Sequence, residues 1–588
     1  MTDPTTTSGP RPGYRDRPWL ASYPPGVPAD PEIPTVPLTR LLDDAAAAYP
    51  TRVALAFLGA TLTYAQLVEQ VDRFAAALAG LGVRPGDRVA LVLPNCPQNV
   101  IAFYATLRLG AIAVEHNPLY TEAEMGHQLA DCGAGVAVCL DRTYDVVAAA
   151  RPGTAVEEVV VTSVTDYLPA KARFALALPR VLPVPALRRR RAAVVAPVPK
   201  GAPVRRFRDL LRAAPGRAAQ ADVDPARDPA VLQYTGGTTG RAKGAVLTHR
   251  NLVANAHQCR LWFPQARMGR EVTLAVLLLF HAYGLTLCMT TTILLAGTVV
   301  LLPRFDLDLL FRAVDEWRPT LFPGAPPMYQ AILDAPALHE HDLRSISACI
   351  SGAMRLPVEV QERFEAVTGG RLVEGYGLTE ASPVALANPL VGTRKTGSIG
   401  VPIPATLARI VDAEDPSREI DPAGRGELAI AGPQVFGGYW AAGNPSPEAG
   451  RLFTDDGYLL TGDIAVMDAD GFFTIVDRKK ELIIASGFNV YPSEVEDVLL
   501  AHLAIVDAAA VGVPDPYRGE TVKAFVVPRP GASLTAEEVK AHCAASLTAY
   551  KVPTIVEFRT ELPHSTIGKV LRRALRDEDA RTTSGAAR

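Results

Sequence analysis

Cysteine is scarce in this sequence, and no two cysteines are spaced as a paired motif. The 588 residues include seven cysteines, an odd number, and none lies in a C-x-x-C arrangement. This argues against a disulfide framework and a zinc ribbon, and it is typical of a protein from a reducing compartment. We therefore expect a cytoplasmic protein.

An excess of charge of one sign is also missing. Lysine and arginine together number 59 against 62 acidic residues, which gives a formal net charge of −3. We therefore expect no nucleic-acid partner, because such proteins usually carry a strong positive excess. Charged residues at 21% and hydrophobic residues at 48% are typical of a folded globular chain.

No uninterrupted hydrophobic run is long enough for a transmembrane helix. The longest candidate, residues 272–302, is broken by residues 281–284 and again by Gly297. A membrane span requires roughly 20 consecutive apolar residues, so we predict a buried strand, helix and strand instead. The N-terminus has no basic segment leading into an apolar core, and we expect no secretory signal.

The pattern of the chain changes along its length. Residues 1–37 contain ten prolines and should be extended. The pattern of residues 38–478 predicts alternating helices and strands, with short strands and Gly/Pro turns toward the end. The pattern of residues 479–588 predicts an α+β fold. We predict an α/β fold, with a large N-terminal domain of stacked α/β layers, a β-rich subdomain and a small C-terminal α+β domain. The boundary is placed at residues 477–480.

A basic insertion at residues 166–212 interrupts this alternation. It contains twelve Lys or Arg, including the run 188–191, against two Asp. One interpretation is a solvated surface insertion. The other is a basic patch that rests on anionic lipid headgroups, at the inner face of the membrane. The sequence leaves both interpretations open.

The motif YTGGTTGRAKG at residues 234–244 follows a predicted strand at 230–233. Its glycines let backbone N–H groups approach an anion, its threonine hydroxyls add donors, and Lys243 adds a positive charge. Because Gly240 is followed by Arg-Ala-Lys, the motif is not a Walker A loop. It predicts a phosphate-binding loop, and the alternative is a mobile surface turn.

Three further segments carry residues suited to nucleotide chemistry. In EGYGLTE, residues 374–380, two glycines allow a ligand to approach the backbone closely. They precede Glu380, whose carboxylate could hold Mg²⁺. Asp463 ends a predicted strand where it could accept bonds from a ribose, and Arg478 could donate to the same sugar. Lys569 lies on a glycine-bearing loop, where taken alone it would be a solvated lysine. Only ten of the 59 basic residues are lysines.

Taken together and in this order, the segments resemble the adenylate-forming superfamily of acyl-CoA synthetases, nonribosomal-peptide adenylation domains and luciferases. The resemblance covers nearly the whole chain from about Trp19. It is nearest to bacterial long-chain fatty-acid–CoA ligases, which share the phosphate-loop sequence TGGTTGxAKG. They also share VDRKK at 476–480, SGFNVYP at 486–492 and GKVLRR at 568–573.

The resemblance implies nucleotide-binding roles along the large domain. The residues that would hold the ATP phosphates are Thr235, Gly236, Gly237, Thr238, Thr239, Gly240 and Lys243. The residues that would line the adenine are Gly352, Ala353, Glu374, Gly375, Tyr376 and Gly377. Thr379 and Glu380 would serve phosphate and magnesium, with Thr239 as a second metal ligand. The implied cofactors are ATP, Mg²⁺ and CoA.

The remaining implied residues lie mostly toward the C-terminus. The pair that would bind the ribose is Asp463 and Arg478, and the hinge of a mobile C-terminal domain would be Lys480. Lys569 would bridge the fatty carboxylate and the α-phosphate during adenylation. Gly487 would flank the pantetheine tunnel in the second step. His281 is a further catalytic candidate, in the segment that corresponds to substrate binding.

The implied activity has two steps: a medium-to-long-chain fatty acid reacts with ATP to acyl-AMP and pyrophosphate, and CoA then displaces AMP. Three alternatives stay open: a fatty-acyl-AMP ligase, an amino-acid-adenylating domain that loads a carrier protein, and a silent binding protein. Residues 280–284 lack the Asp that amino-acid-adenylating domains usually place beside the substrate amine. The oligomeric state, including a homodimer, is also left open.

Two positions depart from the family pattern. Met354-Arg355 stands where Ala or Gly followed by Pro is common, which leaves the shape of the adenine pocket in question. His564 stands where relatives often carry Lys. We expect this change to weaken a contact with phosphate or CoA.

Overall fold

The structure is a computed structural model that describes residues 13–177, 195–199, 201–217, 220–235, 242–441, 444–445, 452–485, 488–515, 519–565 and 570–585. The chain divides into two compact units, each made of separate stretches. The large unit consists of Ser22–Leu407 and Ala431–Phe453. The small unit consists of a first stretch that ends at Ala21, Ala408–Ile430, and the chain from Thr454 onward.

A seven-stranded sheet forms the centre of the large unit. Its strands, from one edge to the other, are Arg205–Arg206, Glu158–Thr162, Val136–Leu140, Arg88–Val92, Ile112–Glu115, Pro229–Thr235 and Lys243–Thr248. All neighbours are parallel except the last pair, which is antiparallel. The inner strands are almost wholly buried, as expected for a parallel sheet covered on both faces by helices.

Two four-stranded sheets complete the layers of the large unit. One has the order Val272–Ala275, Thr298–Leu301, Val53–Phe57 and Ala60–Thr63. The other has the order Ala348–Ser351, Arg371–Gly377, Val384–Ala387 and Val401–Pro402. A short hairpin pairs Trp440–Ala441 with Asn444–Pro445. The predicted α/β class with stacked layers is confirmed.

Helices cover these sheets. Those of the large unit are Thr39–Ala48, Tyr64–Gly80, Pro97–Arg108, Glu122–Cys132, Tyr144–Ala150, Ala170–Ala177, Phe207–Ala213, His249–Trp262, the π-helix Gly284–Thr290 with Thr291–Leu294, Leu307–Trp317, Pro326–Leu333 and Val358–Thr368. The helix Tyr64–Gly80 begins with a capping box: the Thr63 hydroxyl accepts the Gln66 N–H, and the Gln66 side-chain oxygen accepts the Thr63 N–H.

The small unit contains two sheets. Its four-stranded sheet has the order Leu407–Val411, Gly426–Ala431, Leu459–Met467 and Phe473–Arg478. Its five-stranded sheet has the order Phe488–Val490, Ile483–Ala485, Gly519–Pro528 and Ile505–Asp515, with Ile555–Phe558 paired to Gly519–Pro528. Its helices are Pro492–Leu500, Ala536–Ala544 and Arg572–Gly585.

The hydrophobic stretch at 272–302 folds as predicted. It forms the strand Val272–Ala275, the helical turns of 284–294 and the strand Thr298–Leu301, all largely buried. Among the described residues, no helix combines the length and apolar character needed to cross a bilayer. The seven cysteines are all buried and free, which agrees with their apolar sequence context.

Part of the basic insertion belongs to the main sheet. Arg205–Arg206 pairs with the strand Glu158–Thr162, and the helix Phe207–Ala213 buries Phe207 against Phe74, with ring centroids 4.2 Å apart. The arginine run at 188–191 lies outside the described residues.

Within the described part of the proline-rich N-terminal stretch, Trp19 is an anchoring residue. Within the small unit, Trp19 has no exposed surface and lies against Phe473, with ring centroids 6.2 Å apart. Gly471, with a φ of +82°, makes this contact possible, because a Cβ there would lie 2.4 Å from the Trp19 backbone nitrogen.

Candidate functional site

The predicted phosphate loop connects the antiparallel pair at the edge of the seven-stranded sheet. Thr235 and Lys243 lie directly opposite each other at the ends of their strands. The loop therefore begins at the carboxyl end of Pro229–Thr235, where open α/β sheets bind their ligands. Five predicted phosphate ligands lie outside the described residues: Gly236, Gly237, Thr238, Thr239 and Gly240.

Aromatic side chains pack around the base of this loop. Tyr234 Oη donates to Asp131 Oδ2 at 2.5 Å, and Trp440 Nε1 donates to the Asp131 carbonyl at 3.2 Å. Both side chains pack close to Gly244, since a Cβ there would lie 3.4 Å from Trp440 and from the Tyr234 ring. Burial raises the pKa of Tyr234, so its phenol stays protonated and continues to donate.

Glu380 meets Tyr439 beside the loop. Glu380 lies on the short turn Thr379–Ala381, and its Oε1 accepts the Tyr439 Oη–H at 2.5 Å. Lys243 Nζ lies 5.4 Å from the centre of the Tyr439 ring. The structure therefore brings the predicted phosphate ligand Lys243 over the ring of Tyr439 and the predicted metal ligand Glu380 to the hydroxyl of the same side chain.

Tyr439 was missed by the sequence analysis. A signal was present in GYW at residues 438–440, but a tyrosine followed by tryptophan after a glycine turn is equally typical of an ordinary core. The backbone fixes its place: Ala245 forms a bridge with Tyr439, and the Phe436 N–H donates to the Glu380 carbonyl at 2.8 Å. Burial and the neighbouring Glu380 raise the pKa of Tyr439.

The donor set fits magnesium held mainly by its substrate. Among the described residues, no cluster of three or more His, Cys, Asp or Glu could hold a metal ion. Mg²⁺ usually takes one or two carboxylates, several waters and the phosphates of a nucleotide. Glu380 supplies such a carboxylate beside the phosphate loop, and Thr379 adds a hydroxyl from the same turn.

The predicted adenine-lining residues come together at two adjacent strand ends. Ala348–Ser351 and Arg371–Gly377 are parallel, with Ser351 opposite Glu374. The predicted adenine-lining residues at these two strand ends are Gly352, Ala353, Glu374, Gly375, Tyr376 and Gly377. Close packing excludes a side chain at Gly377 and leaves little room for one at Gly352. A Cβ on Gly377 would lie 2.1 Å from the Pro383 carbonyl oxygen, and one on Gly352 would lie 3.0 Å from the Tyr283 ring.

Glu374 is a buried carboxylate at this position. Its Oε2 accepts the Leu356 N–H at 3.2 Å. Burial raises the pKa of Glu374 to about 7, against the opposing effects of the Leu356 N–H and of the positive charge on Arg355. Arg355, one of the two departures from the family pattern, therefore acts on the charge of a predicted adenine-lining residue.

His281 lies in the largely apolar and buried segment 272–302, which we call the apolar wall. Burial lowers the pKa of His281 to about 4, so its imidazole is neutral at pH 7. Its ring lies 4.6 Å from that of Phe280, and its Nε2 has no hydrogen-bond partner among the described residues. The Phe280 carbonyl accepts a bond from the Gln233 amide, which ties this wall to the strand that leads into the phosphate loop.

A buried polar group beside Gln233 was also missed. Glu115 is the register partner of Gln233 on the adjacent parallel strand, and Asn99 Nδ2 lies 3.5 Å from Glu115 Oε2. One acceptor oxygen on each of these three side chains has no partner among the described residues. Burial raises the pKa of Glu115 to about 8. No motif marks this glutamate, which stands in an apolar strand.

The predicted ribose pair is formed in the small unit. Asp463 and Arg478 lie opposite each other on antiparallel strands, and Arg478 Nε lies 3.0 Å from Asp463 Oδ1. Lys480, the predicted hinge, follows two residues later on the short turn Lys479–Glu481. Lys569 and Gly487 lie outside the described residues.

Comparison with known proteins identifies two protein families and several relatives that match the chain. The AMP-binding enzyme family matches residues 42–440, and the AMP-binding enzyme C-terminal domain matches residues 494–569. Over 564 residues the chain is 43% identical to a long-chain-fatty-acid–CoA ligase of Bacillus subtilis (strain 168), covering 96% of this chain and 98% of that protein. A long-chain-fatty-acid–CoA ligase of Yersinia pestis is 41% identical over 581 residues, covering 97% and 99%.

A solved structure gives the same result for the fold. ATP-bound MatB from Rhodopseudomonas palustris matches with a TM-score of 0.77 and 29% identity, over 92% of this chain and 98% of that one. Because the two family matches together span both the phosphate-loop region and the C-terminal region, the expected resemblance is confirmed. The chain belongs to the family of AMP-binding enzymes that includes the long-chain-fatty-acid–CoA ligases.

Proposed function

We propose that this protein is an AMP-forming fatty-acid–CoA ligase that acts on medium-to-long-chain acids with ATP, Mg²⁺ and CoA. The observation that carries the proposal is the meeting of Lys243 and Glu380 on Tyr439 at the base of the phosphate loop. The substrate class is supported by relatives named long-chain-fatty-acid–CoA ligases, which match nearly the full chain.

In the first step a carboxylate oxygen of the fatty acid attacks the α-phosphorus of ATP. The bond from that phosphorus to the bridging oxygen breaks, and pyrophosphate leaves. Lys243 and the threonines of the loop stabilise charge on the phosphoryl oxygens. Glu380 and Thr239 would hold Mg²⁺, which supplies charge neutralisation to the phosphates when bound. Tyr439 orients the Glu380 carboxylate through its hydrogen bond.

In the second step the CoA thiolate attacks the acyl carbonyl carbon, and AMP leaves with the electron pair of the broken C–O bond. Asp463 and Arg478 hold the ribose throughout. Lys569 acts in the first step, and rotation about Lys480 exchanges it for Gly487, which borders the pantetheine path. One site then serves both reactions, with the C-terminal domain, residues 479–588, as the moving part.

In this proposal the acyl tail of the fatty acid lies against the apolar segment at 272–302. A neutral His281 adds no charge to this wall, and residues 280–284 provide no carboxylate for a substrate amine. These features favour an apolar tail over an amino acid. They therefore support a fatty-acid ligase over an amino-acid-adenylating domain that loads a carrier protein.

An acyl-length series with ATP and CoA tests this proposal. Each additional methylene that becomes buried is expected to contribute roughly 0.8 kcal/mol, about fourfold in kcat/KM, until further lengthening of the chain buries no more methylenes. Pyrophosphate, AMP and thioester are followed together, because release of pyrophosphate with formation of acyl-AMP but no thioester would identify a fatty-acyl-AMP ligase. A higher kcat/KM for acetate or amino acids than for C8–C18 acids would contradict the substrate class.

We further propose that the enzyme is cytoplasmic and touches anionic membrane through the basic insertion. The helix Ala170–Ala177 presents Phe174, with 69% of its surface exposed, next to Lys171 and Arg173. Arg205 and Arg206 are also exposed. An apolar anchor among cations is the arrangement expected for headgroup contact.

Sedimentation with vesicles measures this contact. Binding to anionic vesicles at low salt is expected to exceed binding to neutral vesicles, by about 1 kcal/mol for each well-placed cation. The preference should fade as salt shortens the Debye length. The neutral vesicles serve as the control, and equal sedimentation with both kinds at low salt would contradict the proposal.

A further inference from the structure

Two buried amide side chains hold a turn of the apolar wall. This turn, residues 276–281, follows the strand Val272–Ala275 and lies outside any strand or helix. We call it the wall turn. Backbone N–H and C=O groups that are buried outside regular structure need partners from side chains or water. For the wall turn, such partners come from Asn95 and Gln233.

Asn95 makes three hydrogen bonds to the backbone of this region. Its Nδ2 donates to the Ala275 carbonyl at 3.0 Å and to the Leu277 carbonyl at 2.8 Å. Its Oδ1 accepts the Leu279 N–H at 2.8 Å. Asn95 has no exposed surface and lies just beyond the strand Arg88–Val92. Losing this side chain would therefore leave three buried backbone groups without these partners, which is costly.

Gln233 holds the next residue of the wall turn. Its amide donates to the Phe280 carbonyl, and the residue is only 2% exposed. Gln233 lies on the strand Pro229–Thr235, two residues before Thr235, a predicted phosphate ligand. One side chain therefore links the residue before His281 to the strand that carries Thr235.

The two amides belong to one sheet and the wall turn follows a strand of another. The strands Arg88–Val92 and Pro229–Thr235 lie in the seven-stranded sheet, with Ile112–Glu115 between them. The strand Val272–Ala275 lies in a four-stranded sheet. All three sheet segments belong to the large unit. The four hydrogen bonds therefore set the position of the wall turn relative to the sheet edge at Thr235.

The wall turn exposes two side chains. Of residues 276–281, all of which the structure describes, Leu278 and His281 keep partial exposure and the others are buried. The His281 N–H donates to the Leu278 carbonyl at 3.0 Å. Gly284 packs directly against this carbonyl, because a Cβ there would lie 2.3 Å from its oxygen. A displacement of the wall turn would therefore move Leu278 and His281 together.

We propose that Asn95 and Gln233 are positioning residues that fix the wall turn against the strand ending in Thr235, and so set how strongly an acyl tail is held. The inference rests on the proposed function, in which the acyl tail lies against the apolar wall. Neither side chain touches a reacting atom in this scheme. Because each buried methylene gains affinity from contact with the wall, displacement of the turn should cost most for long acids.

The readout is the chain-length ratio. We define it as kcat/KM for the fatty acid that wild type prefers, divided by kcat/KM for butyrate, both with ATP and CoA. Butyrate has too short a tail to gain much from the wall. Unfolded protein is inactive toward both acids, so the ratio does not depend on the folded fraction. A side chain that only stabilises the fold would therefore leave the ratio unchanged.

Gln233→Met in the full-length enzyme tests the role with little change in side-chain size. Methionine is as long as glutamine but cannot donate to the Phe280 carbonyl. The chain-length ratio should fall by roughly ten- to a hundredfold, since small misplacements carry such costs. The KM for ATP should stay near the wild-type value, because the backbone pairing of Gln233 with Ala245 is untouched.

Asn95→Leu is the second variant. Leucine branches as asparagine does but forms none of its three hydrogen bonds. The chain-length ratio should fall further than in Gln233→Met, because three bonds are lost instead of one. If Asn95→Leu fails to fold, Gln233→Met still decides the question.

Gln98→Met is the matched control. Gln98 has no exposed surface, and its Nε2 donates to the Ser163 carbonyl at 2.8 Å and to Thr162 Oγ1 at 3.0 Å, not to the wall turn. Like Gln233, it has an Oε1 without a partner among the described residues. This variant should lower the thermal midpoint and keep the wild-type chain-length ratio. An unchanged ratio in Gln233→Met, or an equal fall in Gln98→Met, would overturn the inference.

Wild-type measurements separate this inference from the proposed function. If wild type forms no acyl-CoA, or prefers butyrate to every C8–C18 acid, the proposed function is wrong and the inference falls with it. If wild type prefers a C8–C18 acid and Gln233→Met changes only the KM for ATP, the proposed function stands. Gln233 would then act on the nucleotide side alone, and only the inference would be wrong.

Discussion

Replacing Lys569 by alanine is expected to lower adenylation by about 10²–10³ while thioester formation from supplied acyl-AMP stays nearly normal. The lysine is proposed to contact the carboxylate and the α-phosphate only while acyl-AMP forms. A fixed cation at that point stabilises charge that grows in the transition state. Supplying acyl-AMP bypasses the step that the variant lacks.

The measurement follows pyrophosphate release in one assay and acyl-CoA formation in the other, with the same enzyme preparation. Lys569→Arg should rescue adenylation poorly, because a planar fork does not replace a compact ammonium in a tight site. Lys551→Ala controls for loss of a lysine from the same part of the chain. Equal loss in both half-reactions would mean that Lys569 has another role or that the domain does not rotate between steps.

Replacing Glu115 by glutamine is expected to stabilise the fold in alkaline solution. Burial raises the pKa of Glu115 to about 8, and the Asn99 amide opposes this only weakly. A raised carboxyl pKa contributes stability that is present below the unfolded value, near 4.5, and is lost as the pH rises through about 8. Glutamine removes this loss, by as much as about 5 kcal/mol above pH 9.

Urea unfolding of both proteins at pH 5 and pH 9 measures the effect. The difference in free energy of unfolding between variant and wild type should be small at pH 5 and large at pH 9. All other titrating groups contribute equally to both proteins. Glu374→Gln is the matched control. The pKa of Glu374 is about 7, so Glu374→Gln should also stabilise the fold in alkaline solution, but by less. This stabilisation should reach its full value near pH 8. A pH-independent difference for Glu115 would contradict its protonation in the fold.

Features set by local sequence were predicted correctly. The strand–helix–strand course of 272–302 depends on the length of each hydrophobic run and on the residues that interrupt it. The hairpin base at Thr235 and Lys243 follows from a glycine-rich turn between two strands. The strand register places Asp463 and Arg478 opposite each other, while their role in binding a ribose stays a prediction.

Features that depend on distant contacts were not predictable. Tyr439 stands in a sequence context that is equally typical of an ordinary core, and only its hydrogen bond to Glu380 gives it a role. Glu115 looks like an ordinary strand residue until its neighbours are known. Trp19 was placed in an extended stretch, because nothing local indicates that Gly471 leaves space for its backbone.

The large unit is discontinuous, which constrains how the chain can fold during synthesis. The chain leaves this unit at Leu407 and returns to it at Ala431. The returning stretch supplies the Tyr439 phenol to Glu380, and its carbonyls at Pro433 and Val435 accept the Asn251 amide at 2.9 Å.

A nascent chain that has reached only Leu407 therefore lacks these partners. The unit is completed only after Phe453 has left the ribosome, by which time the first strands of the small unit are already made. At about 5–20 residues per second, the interval from Leu407 to Phe453 lasts a few seconds. During that interval the carboxylate of Glu380 and the amide of Asn251 lack the hydrogen-bond partners that residues 431–453 later supply.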